Sequence, residues 1–278
     1  MRHAPVSKFF KNPSLAAGLA IVGIMVFCAL MAGKLTAYEF DAINMSAMLR
    51  GPNAANLLGT DQFGRDVFTR ILYGARIALR IGFVVVAIEC LIGVTLGLAA
   101  GYFGGYVERV ILFLTDLTWA MPPMILAMAI VTVLGPSIDN VAISIAVVSW
   151  AQFTRVVRAK TLSLKELPFI EAAHSIGESD ISIILRYILP NVAPSIIVLA
   201  TLALPTAIMS TTAMSFMGLG AQPPSPDWGV MLSEGINYID AASWLSIFPG
   251  FGIVFLVIGF NFLGEGLREL IDPRMKTQ

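Results

Sequence analysis

Glu171-Ala172-Ala173-His174-Ser175-Ile176-Gly177, continuing to Ile188-Leu189-Pro190, is a short polar island between two long apolar runs. Pro168 suits a first helical turn, where its missing N–H would have no intrahelical partner. Glu171 then falls near the positive end of that helix. Gly177 is a natural stop, because glycine enters the left-handed conformation that ends helices at little cost. Ser179 or Asp180 can cap a second helix through Leu189, which Pro190 is expected to terminate. The stretch reads as two short helices on a glycine elbow, held just outside a membrane. It has few apolar neighbours in sequence and should need a surface to lean against.

The apolar runs on either side decide the class. Of 278 residues, 57% are hydrophobic and 13% charged, and the mean hydropathy is +0.81. A soluble domain carries about 25% charged residues. The chain is therefore an all-α polytopic membrane protein. Lysine plus arginine equals aspartate plus glutamate at 18 each, so no nucleic-acid partner is indicated. Cys28 and Cys90 lie inside apolar runs and read as small packing residues. The first apolar run is too long for a cleaved signal peptide.

Six spans are expected, at about 14–33, 81–101, 111–134, 138–157, 191–218 and 243–264, each near the length that crosses a bilayer. Residues 1–80 group as a tail, a first span, an outer loop and an amphipathic helix, and residues 81–278 as the core with its polar segment at about 158–190. Val67, Ile71, Leu72, Ala75 and Leu79 share one helical face beside Arg65, Arg70, Arg76 and Arg80. That pattern reads as an interfacial helix whose arginines meet lipid headgroups. Gly93, Gly97 and Gly101 stack on one face and invite close approach by another helix. Glu89 sits within the second span, either as a structural partner in the bundle or as a residue lining a pathway. Pro122-Pro123 interrupts the third span, which is tolerated where other helices or water compensate. With the N-terminus inside, inner segments hold twelve bases and outer segments six. This favours both termini in the cytoplasm, with the 171–177 segment on that side.

The sequence holds little chemistry. Gly33-Lys34 is followed by Leu35, so no nucleotide-binding loop exists. His3 and His174 are far apart, and there is no HExxH or Cys-x-x-Cys. The thirteen methionines are scattered and read as packing. No catalytic, cofactor-binding or metal-binding set is expected.

Two motifs carry a family resemblance. Glu171-Ala172-Ala173-x-x-x-Gly177 followed by Ile188-Leu189-Pro190 resembles the EAA signature of the membrane permeases of type I ABC importers. Gly59-Thr60-Asp61-Gln62-Phe63-Gly64-Arg65-Asp66 with Gly74-Ala75-Arg76, and Asp272-Pro273-Arg274 at the tail, look like the dipeptide, oligopeptide and nickel branch, in its second permease subunit. Tyr187 departs mildly from that family's frequent histidine. The resemblance implies a permease in the bacterial inner membrane, paired with a related permease subunit. It implies two cytoplasmic ATPase subunits holding ATP-Mg and an extracytoplasmic binding protein that delivers peptides, with nickel or another small solute as the alternative cargo. It also implies that Glu171, Ala172, Ala173, Ser175 and Gly177 form the interface with an ATPase. An ion-coupled secondary transporter is the competing class, and Glu89 would be its one coupling carboxylate.

Overall fold

The computed structural model of the protein describes residues 12–271. Arg2, His3, Lys8, Lys11 and the tail from Asp272 through Arg274 and Lys276 lie outside the described residues, and part of the charge count lies there with them. Every regular element among the described residues is helical.

Helix α1 (Pro13–Leu35) starts at Asn12, whose side chain accepts from Leu15 N. The same side chain donates to Glu269 at 2.8 Å, tying the start of α1 to the end of α10 (Trp244–Ile271). Helix α2 (Val67–Phe103) is capped by Asp66, which accepts from Thr69 N at 2.8 Å. It runs 37 residues without a break. The amphipathic stretch 67–80 thus runs straight into the span expected from residue 81 as one continuous helix.

The third span is bent rather than straight. Helix α3 (Gly105–Trp119) and α4 (Pro123–Leu134) meet at 88°. Pro123 forces the residue before it into extended backbone. Pro122 accordingly sits at ψ 123°, where α-helix cannot continue. With this pair taken as one span, the described residues contain six candidate crossings.

Helix α5 (Ile138–Lys165) is capped by Ser137 and runs beyond the expected end at 157. Its packing on α2 is the centre of the bundle. A side chain at Gly93 would collide with Phe153, one at Gly97 would lie 2.7 Å from Val157 Cβ, and one at Gly101 2.6 Å from Thr161 Cβ. The glycine stripe therefore works as expected, letting α5 seat directly on the α2 backbone.

Helix α6 (Pro168–Ser175) and α7 (Asp180–Ile183) follow. Here the expected stop at Pro190 fails. A π-helical turn over Ile184–Ile188 joins α7 to α8 (Leu189–Phe216), so the chain crosses Pro190 without ending a helix. Proline lacks an N–H and its ring presses on the carbonyl four residues back; widening the turn relieves both. The Asn191 amide donates to Tyr187 O at 2.6 Å, filling a carbonyl near the widened turn. Helix α9 (Trp228–Gly235) lies in the loop before α10.

Candidate functional site

Two polar constructions stand at opposite ends of α2. The first is the α6–α7 knuckle. Gly177 has φ +82°, the left-handed conformation expected of it. Glu178 N donates to Ala173 O at 3.1 Å and Gly177 N to His174 O at 3.0 Å. These two bonds make a complete Schellman stop. Ser179 caps α7 by accepting from Ser182 N.

The knuckle finds on the bundle the surface it is expected to lean against. Ile170 and Ala173 from α6 and Ile183 and Ile188 beyond it pack with Leu98, Tyr102, Val157 and Val192 into a core of their own. What faces outward is the opposite side. Glu171, Ala172, Ser175 and Gly177 are exposed, and Ile176 is 76% exposed. A side chain added at Gly177 would meet nothing within 4 Å. Of the five expected interface residues, four thus share the outer surface, while Ala173 is buried against the bundle.

Tyr102 is the residue that sequence reasoning missed. Its hydroxyl donates to Asp180 at 2.7 Å and lies 3.3 Å from His174 Nε2. Lys165 Nζ donates to its carbonyl at 2.6 Å. One tyrosine at the end of α2 therefore holds the end of α5, the end of α6 and the start of α7. The available signal was an aromatic ring with a polar tip at the edge of a span. Nearby, Arg158 Nε donates to Glu108 at 2.7 Å, and Arg155 pairs with Asp116 beneath the Trp119 ring. Two bases of the α5 end are thus committed to α3.

The second construction is a knot of charges at the far end of α2. Asp61 accepts from Phe63 N and Arg65 N at 2.9 Å and from Arg65 Nε at 2.6 Å. Arg65 Nη2 reaches Glu234 at 3.0 Å. Arg70 stands 3.7 Å from both carboxylates and donates to the carbonyls of Phe40, Pro224 and Ser225. Arg65 is 3% and Arg70 1% exposed, so neither is at the headgroups. The expectation failed because Glu234 and the carbonyls of Pro224 and Ser225, which help bury them, come from far along the chain. Trp244 Nε1 donates to Thr60 O, stitching the 36–66 loop to α10, and Trp228 Nε1 donates to Ile71 O, stitching α9 to α2. Asp227 caps α9 through Gly229 N and Val230 N. Burial pushes its carboxyl above the usual carboxylate range, against hydrogen bonds from Val230, Ser215 and Gly229.

The described residues thus form a helical bundle of up to six candidate membrane crossings with ordered polar networks at both ends. Residues 93–277 match the family model described as binding-protein-dependent transport system inner membrane component, and the chain belongs to that family, the permeases of ABC importers. The Dipeptide transport system permease protein DppC of Alkalihalophilus pseudofirmus is 46% identical over 267 residues, covering 96% of this chain and 88% of that protein. The Glutathione transport system permease protein GsiD of Pectobacterium atrosepticum is 40% identical over 268 residues, covering 96% and 89%. Among solved structures, the MetNI methionine ABC transporter in an inward-facing conformation shares the fold. Its TM-score is 0.58 at 19% identity, over 73% of this chain and 96% of that one.

Proposed function

We propose that this permease imports peptides, pairing with a second, related permease subunit and receiving solute from an extracytoplasmic binding protein. The cargo reading rests on the dipeptide and glutathione transport named in its relatives, each aligned over nearly the whole chain. The α6–α7 knuckle is the docking element for a cytoplasmic ATPase that binds ATP-Mg. The observation that carries this role is the split between its faces. Ile170 and Ala173 clamp it to the bundle, while Glu171, Ala172, Ser175 and Gly177 form an outward surface that none of the described residues covers. A segment held so firmly moves as a unit with α2 and α5 instead of yielding when pushed. Both termini and the knuckle lie on the cytoplasmic side in this reading, and the charge knot faces outward.

Cysteine labelling tests the arrangement. A single cysteine in place of Glu171 should resist an impermeant thiol reagent in intact cells and crosslink to the ATPase after lysis. One in place of exposed Asp240 should label from outside. Glu234 is unsuitable as that outer probe because it is tied to Arg65. Labelling in the reverse order would overturn the topology. Absence of any crosslink at position 171 in assembled, ATP-hydrolysing complex would overturn the docking role.

A further inference from the structure

Three cavities lie end to end along α5 and α8. The first, about 250 Å³, is lined by Pro123 and Met124 of α4 with Ile145, Ser149 and Ser210. The second, about 150 Å³, shares Ile145 and Ser149 with it and adds Glu89, Gln152 and Thr206. The third, about 620 Å³, shares Leu199 and Leu202 with the second and opens toward Lys160, Ser195 and Arg268. On α5 the lining residues 145, 149, 152, 156 and 160 fall on one helical stripe, and so do 195, 199, 202, 206 and 210 on α8. From Ile145 to Lys160 the stripe covers about 22 Å at 1.5 Å per residue, against a hydrocarbon core of about 30 Å. The cavities thus form one groove whose length is comparable with most of a bilayer's hydrocarbon thickness.

The groove carries polar side chains without partners among the described residues, unlike several hydroxyls elsewhere in the bundle. Thr95, Thr118, Thr132 and Thr201 turn their hydroxyls back onto carbonyls of their own helices. Gln152 and Thr206 are exposed in the groove, and their side chains make no hydrogen bond among the described residues. Side chains of this kind at membrane depth require water or a polar visitor. Glu89 is 4% exposed, faces Ser149 and joins no ion pair among the described residues. A carboxyl so placed has no counter-charge from the protein, and a passing cation would supply one.

We propose that this groove is the subunit's share of the solute path and that Glu89 sets its charge preference, favouring solutes that carry an ammonium or other cationic group. The assignment rests on the importer reading, and a peptide's amino terminus meets the requirement. Lys160 and Arg268 lie at the other end of the groove, where an anionic group would be drawn onward.

Thiol labelling of the whole importer in membrane vesicles tests this, in a background with Cys28→Ala and Cys90→Ala. Thr206→Cys is treated with a trimethylammonium-bearing methanethiosulfonate and, separately, with a sulfonate-bearing one. Val147→Cys, on the opposite face of α5, is the control and should react with neither. Thr206→Cys should react faster with the cationic reagent, and Glu89→Gln should reduce the ratio of the two rates about tenfold or more. Glu89→Asp keeps the charge and should keep the ratio, which separates a charge effect from a folding defect. A ratio unchanged by Glu89→Gln would overturn the role of Glu89. Equal reactivity of Val147→Cys and Thr206→Cys would overturn the path. Because labelling uses no transported solute, a cargo other than peptide would alter uptake while leaving these results intact.

Discussion

Substitution of Gly177 separates two explanations of why the knuckle ends in glycine. The backbone there has φ +82°, and the two Schellman bonds depend on it. An ordinary side chain in that conformation costs roughly 1–2 kcal/mol, and asparagine less. Since an added Cβ meets nothing within 4 Å, no clash with other described residues adds to that backbone cost. Conformation alone therefore limits the loss to roughly tenfold, about 1.4 kcal/mol, and ranks Gly177→Asn above Gly177→Ala. A docked partner reverses the ranking, because bulk and charge then enter an interface. Gly177→Ala should lose ATPase binding by about tenfold at most, whereas Gly177→Asn and Gly177→Asp should each lose more than that. The assay is titration of the detergent-solubilised permease complex with purified ATPase subunit, with transport in vesicles as the second readout. Asparagine behaving as wild type, with alanine worse, would refute docking through this surface.

Other substitutions probe the packing. Arg70→Met leaves Arg65 as the only cation on buried Asp61 and on Glu234, and should destabilise the protein by about 3 kcal/mol, read as a lowered melting temperature and faster proteolysis of the 36–66 loop. An unchanged melting temperature with an intact loop would show that the knot contributes nothing. Gly97→Val places its Cβ 2.7 Å from Val157 Cβ and 2.8 Å from Thr154 O, so α2 and α5 must part at a cost of about 1–3 kcal/mol. Wild-type stability for that variant would mean that the two helices are not in close contact.

Much of this architecture is legible where the determinant is local. Pro168 opens α6, Gly177 ends it and Ser179 caps the next turn, each through neighbours within four residues. The Gly93, Gly97 and Gly101 stripe likewise announces a close helix partner, though not that the partner is α5. Readings fail where the determinant is distant or compensated. Arg70 looks like a headgroup anchor because Glu234 and the Pro224 carbonyl are invisible from its own helix. Pro190 looks like a stop because nothing local reveals that a π-turn absorbs it. The anchoring of the knuckle depends on Leu98 and Tyr102, about 70 residues upstream, which only the fold brings beneath it.

Helix α2 has a mechanical consequence of its own. Its 37 residues make a rod of about 55 Å. Tyr102 grips α7 near one tip, Arg70 grips the α9 region near the other, and the glycine stripe rests on α5 between them. That is a lever with a fulcrum. A tilt imposed at the Tyr102 tip would reappear at the Arg70 tip as a displacement of opposite sense, without a relay of switching side chains.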